Sequence, residues 1–183
     1  WTEPQYYSTI QTADIDGKPG EELLARFPDG MRAYGYSPPA GGNSIDGGTW
    51  RALAKGGPFA DADGWDDPQY YLTIKSVVGD RPYLFAHDTP GMIAYRWTGG
   101  GWQKDSQTDS LNGCSDPACY TSLRVAPGSP GLTAANPASS LGQAAYSFTG
   151  PGRGWLPRVP ESYDQFPSGP LSNARGSPDC PLS

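Results

Sequence analysis

WTEPQYYSTIQTADIDG, from Trp1 to Gly17, returns as GWDDPQYYLTIKSVVGD from Gly64 to Asp80 and again as GCSDPACYTSLRVAPGS from Gly113 to Ser129. A stretch that returns at this interval marks a repeat architecture, so the period takes precedence over any single element. The rest of each unit returns as well. ELLARFPDGMRAYGY and then Gly48-Thr49-Trp50 follow the first copy; YLFAHDTPGMIAYRW and Gly101-Trp102 follow the second; LTAANPASSLGQAAYSF and Gly154-Trp155 follow the third. Tyr7 to Ile10, Tyr71 to Ile74 and Tyr120 to Leu123 are each three residues apart, and Gly30 to Tyr34, Gly91 to Tyr95 and Gly142 to Tyr146 are each four apart. The chain is three copies of one module, over about residues 1–57, 58–108 and 109–168. GPLSNARGS at 169–177 has the spacing of GPFADADGW at 57–65, so residues 169–183 are expected to complete the first repeat, as in a circle cut before Trp1.

Each unit reads as four short strands. In the first they fall near Tyr7–Ala13, Glu22–Arg26, Met31–Tyr36 and Thr49–Leu53, in alternating or apolar segments bounded by Gly, Pro or Asp. Glu21 to Arg26 favours a helix by propensity, but it aligns with the strand-like Pro82 to His87, and the repeat decides. Pro28-Asp29-Gly30 and Thr89-Pro90-Gly91 read as tight turns. The fold class is all-β: three four-stranded, blade-like repeats, β-propeller-like, with a β-trefoil-like three-fold closure as the alternative.

Composition bounds the function. Among 183 residues, 25 Gly and 20 Pro fall between aromatic segments that hold six Trp and eleven Tyr, so they mark turns and not disorder. A net charge of −6 without a basic run excludes a nucleic-acid partner. No apolar run nears the roughly 20 residues of a membrane helix. The chain begins at Trp and has no signal peptide, which fits a processed secreted protein or an excised domain. Cys114 and Cys119 stand where the other units carry Trp1/Trp65 and Tyr6/Tyr70, so a local disulfide is expected to replace two bracing aromatics; Cys180 is left over. A metal site would want more soft ligands, and the chain has one His. The disulfide implies an oxidising, extracellular compartment.

The pattern YYSTIQTADIDGKPGEELLARFPDGMRAYGY…GTW resembles the FG-GAP or VCBS-type repeat, the integrin-like β-propeller module. The resemblance implies one four-stranded blade per unit, secretion, and a calcium loop after the first strand. Some proteins of this kind are lectins. Asp14, Asp16 and Gly17 match the calcium motif, but Lys18 sits where a third carboxylate belongs, and Glu22 serves as the last ligand. Calcium at Asp14, Asp16 and Glu22 is thus set against the same carboxylates capping a turn. Asp61 and Asp63 form a second acidic pair of this sort. Propellers have about four to eight blades, so three blades imply either a homodimer completing a six-bladed ring or another closure.

Polar groups repeated beside aromatics suit a sugar: rings stack on C–H faces and side chains bond hydroxyls. Trp1 and Trp65 are expected to be exposed platforms flanked by Tyr6 and Tyr70, and Arg26, His87 and Asn136 to be equivalent polar positions. Trp50, Trp102 and Trp155, like Tyr34, Tyr95 and Tyr146, are expected to be packing. The single histidine has Arg and Asn as repeat-mates, and no nucleophile or metalloprotease motif occurs, so catalysis is not expected. The expected function is non-catalytic carbohydrate binding at repeated weak glycan sites. The alternatives are a calcium-supported adhesion or protein-interaction module and an accessory domain of a glycan-degrading enzyme.

Overall fold

The computed structural model describes residues 2–39, 41, 47–88, 91–107, 117–125, 131–135, 142–150 and 153–158. They form three separate four-stranded antiparallel sheets, each a simple meander in chain order. The first blade holds β1 (Gln11–Ala13), β2 (Glu22–Phe27), β3 (Gly30–Ser37) and β4 (Thr49–Ala54). The second holds β5 (Lys75–Val78), β6 (Pro82–Asp88), β7 (Gly91–Trp97) and β8 (Trp102–Gln107). The third holds β9 (Arg124–Val125), β10 (Gly131–Ala135), β11 (Gln143–Phe148) and β12 (Trp155–Arg158). Separate sheets in sequential order are blades and do not share the barrel of a trefoil. No helix of the described residues is long and apolar enough to cross a membrane.

One element departs from expectation. The first strand does not begin at Tyr7. Each unit opens on a single helical turn, α1 (Pro4–Tyr7), α2 (Pro68–Tyr71) and α3 (Pro117–Thr121), each started by proline. Proline has φ set for a helix and lacks the N–H that a first turn leaves unpaired. The adjacent tyrosines therefore splay around a turn and do not alternate across a strand.

Each turn is stitched to the second strand by a hydroxyl. Thr9 Oγ1 donates to the Tyr6 carbonyl at 2.7 Å and accepts the Arg26 N–H at 3.0 Å. Thr73 does the same between Tyr70 (2.6 Å) and His87 (2.8 Å), and Ser122 between Cys119 (2.6 Å) and Ala135 (2.7 Å). The strand register agrees: Gln11 opposes Leu24, Lys75 opposes Phe85 and Arg124 opposes Thr133. The third equivalent of Arg26 and His87 is therefore Ala135. Asn136, expected in that role, is one residue further on and lies outside the described residues, as do Trp1, Cys114, Cys180, the Thr89-Pro90 turn and the 169–183 segment.

The cores lie between blades. Leu24, Met31 and Ala33 of the first blade pack with Ile74, Leu84, Ala86, Ile93 and Trp97 of the second. Tyr83, Phe85, Met92 and Ala94 of the second pack with Leu123, Leu132, Tyr146, Phe148 and Trp155 of the third. Strand β6 shows why: its even residues feed the first core and its odd ones the second, the two-residue period dividing one strand between two neighbours. The first strands also meet in order, β1 on β5 and β5 on β9. Ser76 N–H donates to Gln11 Oε1 at 2.6 Å across the first of these contacts.

The linker after β4 is part of the first junction. Met31 N–H bonds the Pro58 carbonyl at 2.8 Å, and Asp61 N–H bonds the Pro28 carbonyl at 3.0 Å. Gly30 is required here: its φ is +109°, and a Cβ would lie 2.2 Å from the Gly57 carbonyl oxygen. Phe59, at φ +73°, is held in that strained backbone by edge-on contacts with Trp65 (4.5 Å) and Tyr95 (5.2 Å).

Candidate functional site

The loop after β1 brings three carboxylates together. Asp14, Asp16 and Glu22 each place an oxygen within 4.8 Å of the others. Asp14 Oδ1 accepts the Gly17 N–H at 2.8 Å, Asp16 Oδ1 accepts the Lys18 N–H at 3.0 Å, and the buried Glu22 accepts the Ile15 N–H at 2.8 Å. Calcium ligands lie at about 2.3–2.6 Å, so ligands on opposite sides of one ion are separated by roughly this spread. The cluster fits one such cation, with three of the six to eight oxygens from side chains. Lys18 is the competing charge: its ammonium lies 2.5 Å from Asp16 and, by that hydrogen bond first, holds the Asp16 carboxyl below its ordinary range. The carboxylates that cap the loop are thus the same three that could hold a cation.

The acidic pair of the linker is different. Asp61 accepts an ion-paired hydrogen bond from Arg26 Nη2 and a 2.6 Å bond from the Tyr6 hydroxyl. That hydroxyl is held above its ordinary value, first by its bond to Asp61. Asp61 is thus committed to a cation of the chain itself.

The expected sugar residues are largely interior. Trp65 is 5% exposed and sits in the first core against Phe59 and Tyr70, so the exposed platform expected at this residue is corrected. It is covered because the linker folds it back between two blades. Arg26 is 0% exposed and donates to the Trp65 carbonyl as well as to Asp61. His87 is 3% exposed and stacks on Tyr120 at 3.8 Å. Burial drives its pKa down to about 4, against a smaller opposing effect of Asp88. Tyr6 and Tyr70 are half-buried, with the Arg26 guanidinium 5.4 Å from the Tyr6 ring centre.

The exposed aromatic surface is elsewhere. Each blade carries a cross-strand aromatic pair: Tyr36 with Trp50 at 5.2 Å, Trp97 with Trp102 at 5.0 Å, and Phe148 with Trp155 at 5.3 Å. Trp155 is buried and Trp102 packs against the first core, but Trp50 is 57% exposed. The expectation that all three tryptophans are packing fails at Trp50. The repeat alignment already carried the signal, since the pair belongs to the side of a blade that its predecessor covers, and the first blade has no described predecessor.

Comparison with protein-family models, with curated proteins and with solved structures returns no match.

Proposed function

We propose that this chain is a non-catalytic, extracellular interaction module of the FG-GAP-like kind, with calcium bracing its first blade and a second copy of the chain among its partners. The observation that carries the reading is the convergence of Asp14, Asp16 and Glu22. An ion there would tie the loop after β1 to the start of β2. A Cys114–Cys119 disulfide belongs to the same reading, supported by the burial of Cys119, which is 1% exposed.

With Lys18 beside it and few carboxylates, the site should bind calcium in the weak range of extracellular modules, on the order of 10⁻⁴–10⁻³ M. Calcium at about 10 mM should then raise the melting temperature by a few degrees relative to chelator. Glu22→Gln, which keeps the acceptor for Ile15, should abolish the shift, and Lys18→Asp should enlarge it. A melt indifferent to calcium in both wild type and Lys18→Asp would remove the ion from the account.

Neutral-glycan binding is the second reading, favoured by the exposed Trp50 beside Tyr36. With Trp65, Arg26 and His87 inside, it would use one site on the first blade in place of three repeated ones.

A further inference from the structure

We propose that a second copy of this chain packs on the open side of the first blade, the same side on both copies facing each other across a two-fold axis. The inference deepens the second-copy part of the functional proposal and rests on it; the calcium and glycan parts stand or fall separately.

The repeat supplies its own control. Tyr7 is 51% exposed, while its equivalent Tyr71 is 6% exposed and its equivalent Tyr120 is half-buried. Ile10 is 41% exposed, against 3% for Ile74 and 0% for Leu123. Leu23 is half-buried, while Leu84 and Leu132 at the same register are fully buried. With Trp50 and Tyr36 these form one apolar side, which in the second and third blades is covered by the blade before. Large exposed apolar groups on one side of a blade mark a contact surface.

What covers it must resemble a blade. The third blade is poorly suited. Its far side has Gly131, Thr133 and Ala135 at the register positions where the second blade has Tyr83, Phe85 and His87. Among the described residues the large apolar group on that side is Leu156, 56% exposed and opposite Ser147; the rest are small or polar, as on a terminal capping repeat. Among the described residues, no contact between β9 and β1 matches those of β1 with β5 and β5 with β9. A ring closed by the third blade, within one chain or between two, would therefore meet fewer large apolar groups, among the described residues, than the open side of the first blade in a second copy offers; an isologous pair of this type is the commonest oligomer. At their exposures, Tyr7, Ile10, Leu23, Tyr34, Tyr36 and Trp50 offer on the order of 500 Å² per copy, against about 800 Å² per partner in a standard interface. Arg32, where the second blade has Ile93, brings an ion pair to Asp29 at 3.0 Å, and arginine is enriched at contacts between separate chains.

The test is the mass of the full chain by sedimentation equilibrium, without added calcium and then with it. Wild type should give two chains per particle in both. Ile10→Asp and Trp50→Asp alter positions exposed in the single chain, so both should give one folded chain with unchanged near-ultraviolet circular dichroism. Ala135→Glu, on the capped side, should remain dimeric. A single-chain mass for wild type would overturn the proposal and leave the face to a glycan, to residues 159–183 or to an unrelated protein. Dissociation by Ala135→Glu would overturn it in favour of ring closure, and a dimer surviving both aspartate variants would place the contact elsewhere.

Discussion

Replacing Asp61 with alanine should destabilise the protein by on the order of 3–5 kcal/mol, the cost of stranding a buried charge. The charge is Arg26, which is fully buried at the first junction and whose guanidinium donates to Asp61 and to the Trp65 carbonyl. Without Asp61, the guanidinium keeps one carbonyl and loses its counter-ion, and the Tyr6 hydroxyl loses its acceptor. The hydroxyl alone is a smaller matter: Tyr6→Phe should cost about 1 kcal/mol. Removing both charges as Arg26→Met/Asp61→Ala should recover most of the stability lost by Asp61→Ala, because a hydrophobic replacement removes the stranded group. Urea midpoints at constant slope measure all three. A double variant no better than the single one would mean that Asp61 acts through the linker backbone and not through the ion pair.

Acidification should destabilise the second junction by about 3 kcal/mol through one residue. His87 stays neutral in the folded chain down to about pH 4 because burial opposes its charge, while the unfolded chain takes the proton near 6.5. Between these values the unfolded state binds more protons, so stability falls as pH drops from about 6.5 to about 4 and this contribution is constant below. Tyr120 stacks on the ring, Asp88 partly offsets the shift, and His87 Nδ1 has no hydrogen-bond partner among the described residues to share a proton. His87→Phe can keep the stack. Its stability should be flat through this window once carboxylate titration below about pH 5 is subtracted. An unchanged slope in the variant would assign the acid sensitivity to carboxylates alone.

The fold was legible because the repeat is strong where the backbone demands it. Gly30 must be glycine against the Gly57 carbonyl, and alignment with Pro82–His87 overrides the helical propensity of Glu21–Arg26, most of which forms β2. The helical opening of each unit was missed although its signal, a proline just before the tyrosines, was present in all three copies; the strand-like Tyr-Tyr pairs outweighed it. The candidate site was legible only in part. Asp14, Asp16 and Glu22 converge because their spacing is local to one loop. Trp65, Arg26 and His87 lie inside; alignment identifies equivalent positions but not their side of the blade. Arg26 and His87 recur because they fill junctions, and Trp65 because the linker inserts it there. The third equivalent was displaced by one residue, from Ala135 to Asn136, for want of the strand register. Trp50, the most exposed tryptophan among the described residues, was assigned to packing by analogy with mates that do have a covering blade.

Amide hydrogen exchange at Arg26, His87 and Ala135 tests the three-fold equivalence of the blades most directly. Each N–H ends on the hydroxyl of Thr9, Thr73 or Ser122. All three amides should be protected relative to the neighbouring turns, and Thr9→Val, Thr73→Val and Ser122→Ala should each raise exchange at their own amide by roughly fivefold, for about 1 kcal/mol of lost bonding. Protection at Asn136 in place of Ala135, or indifference of His87 to Thr73→Val, would contradict the shared register on which the whole account stands.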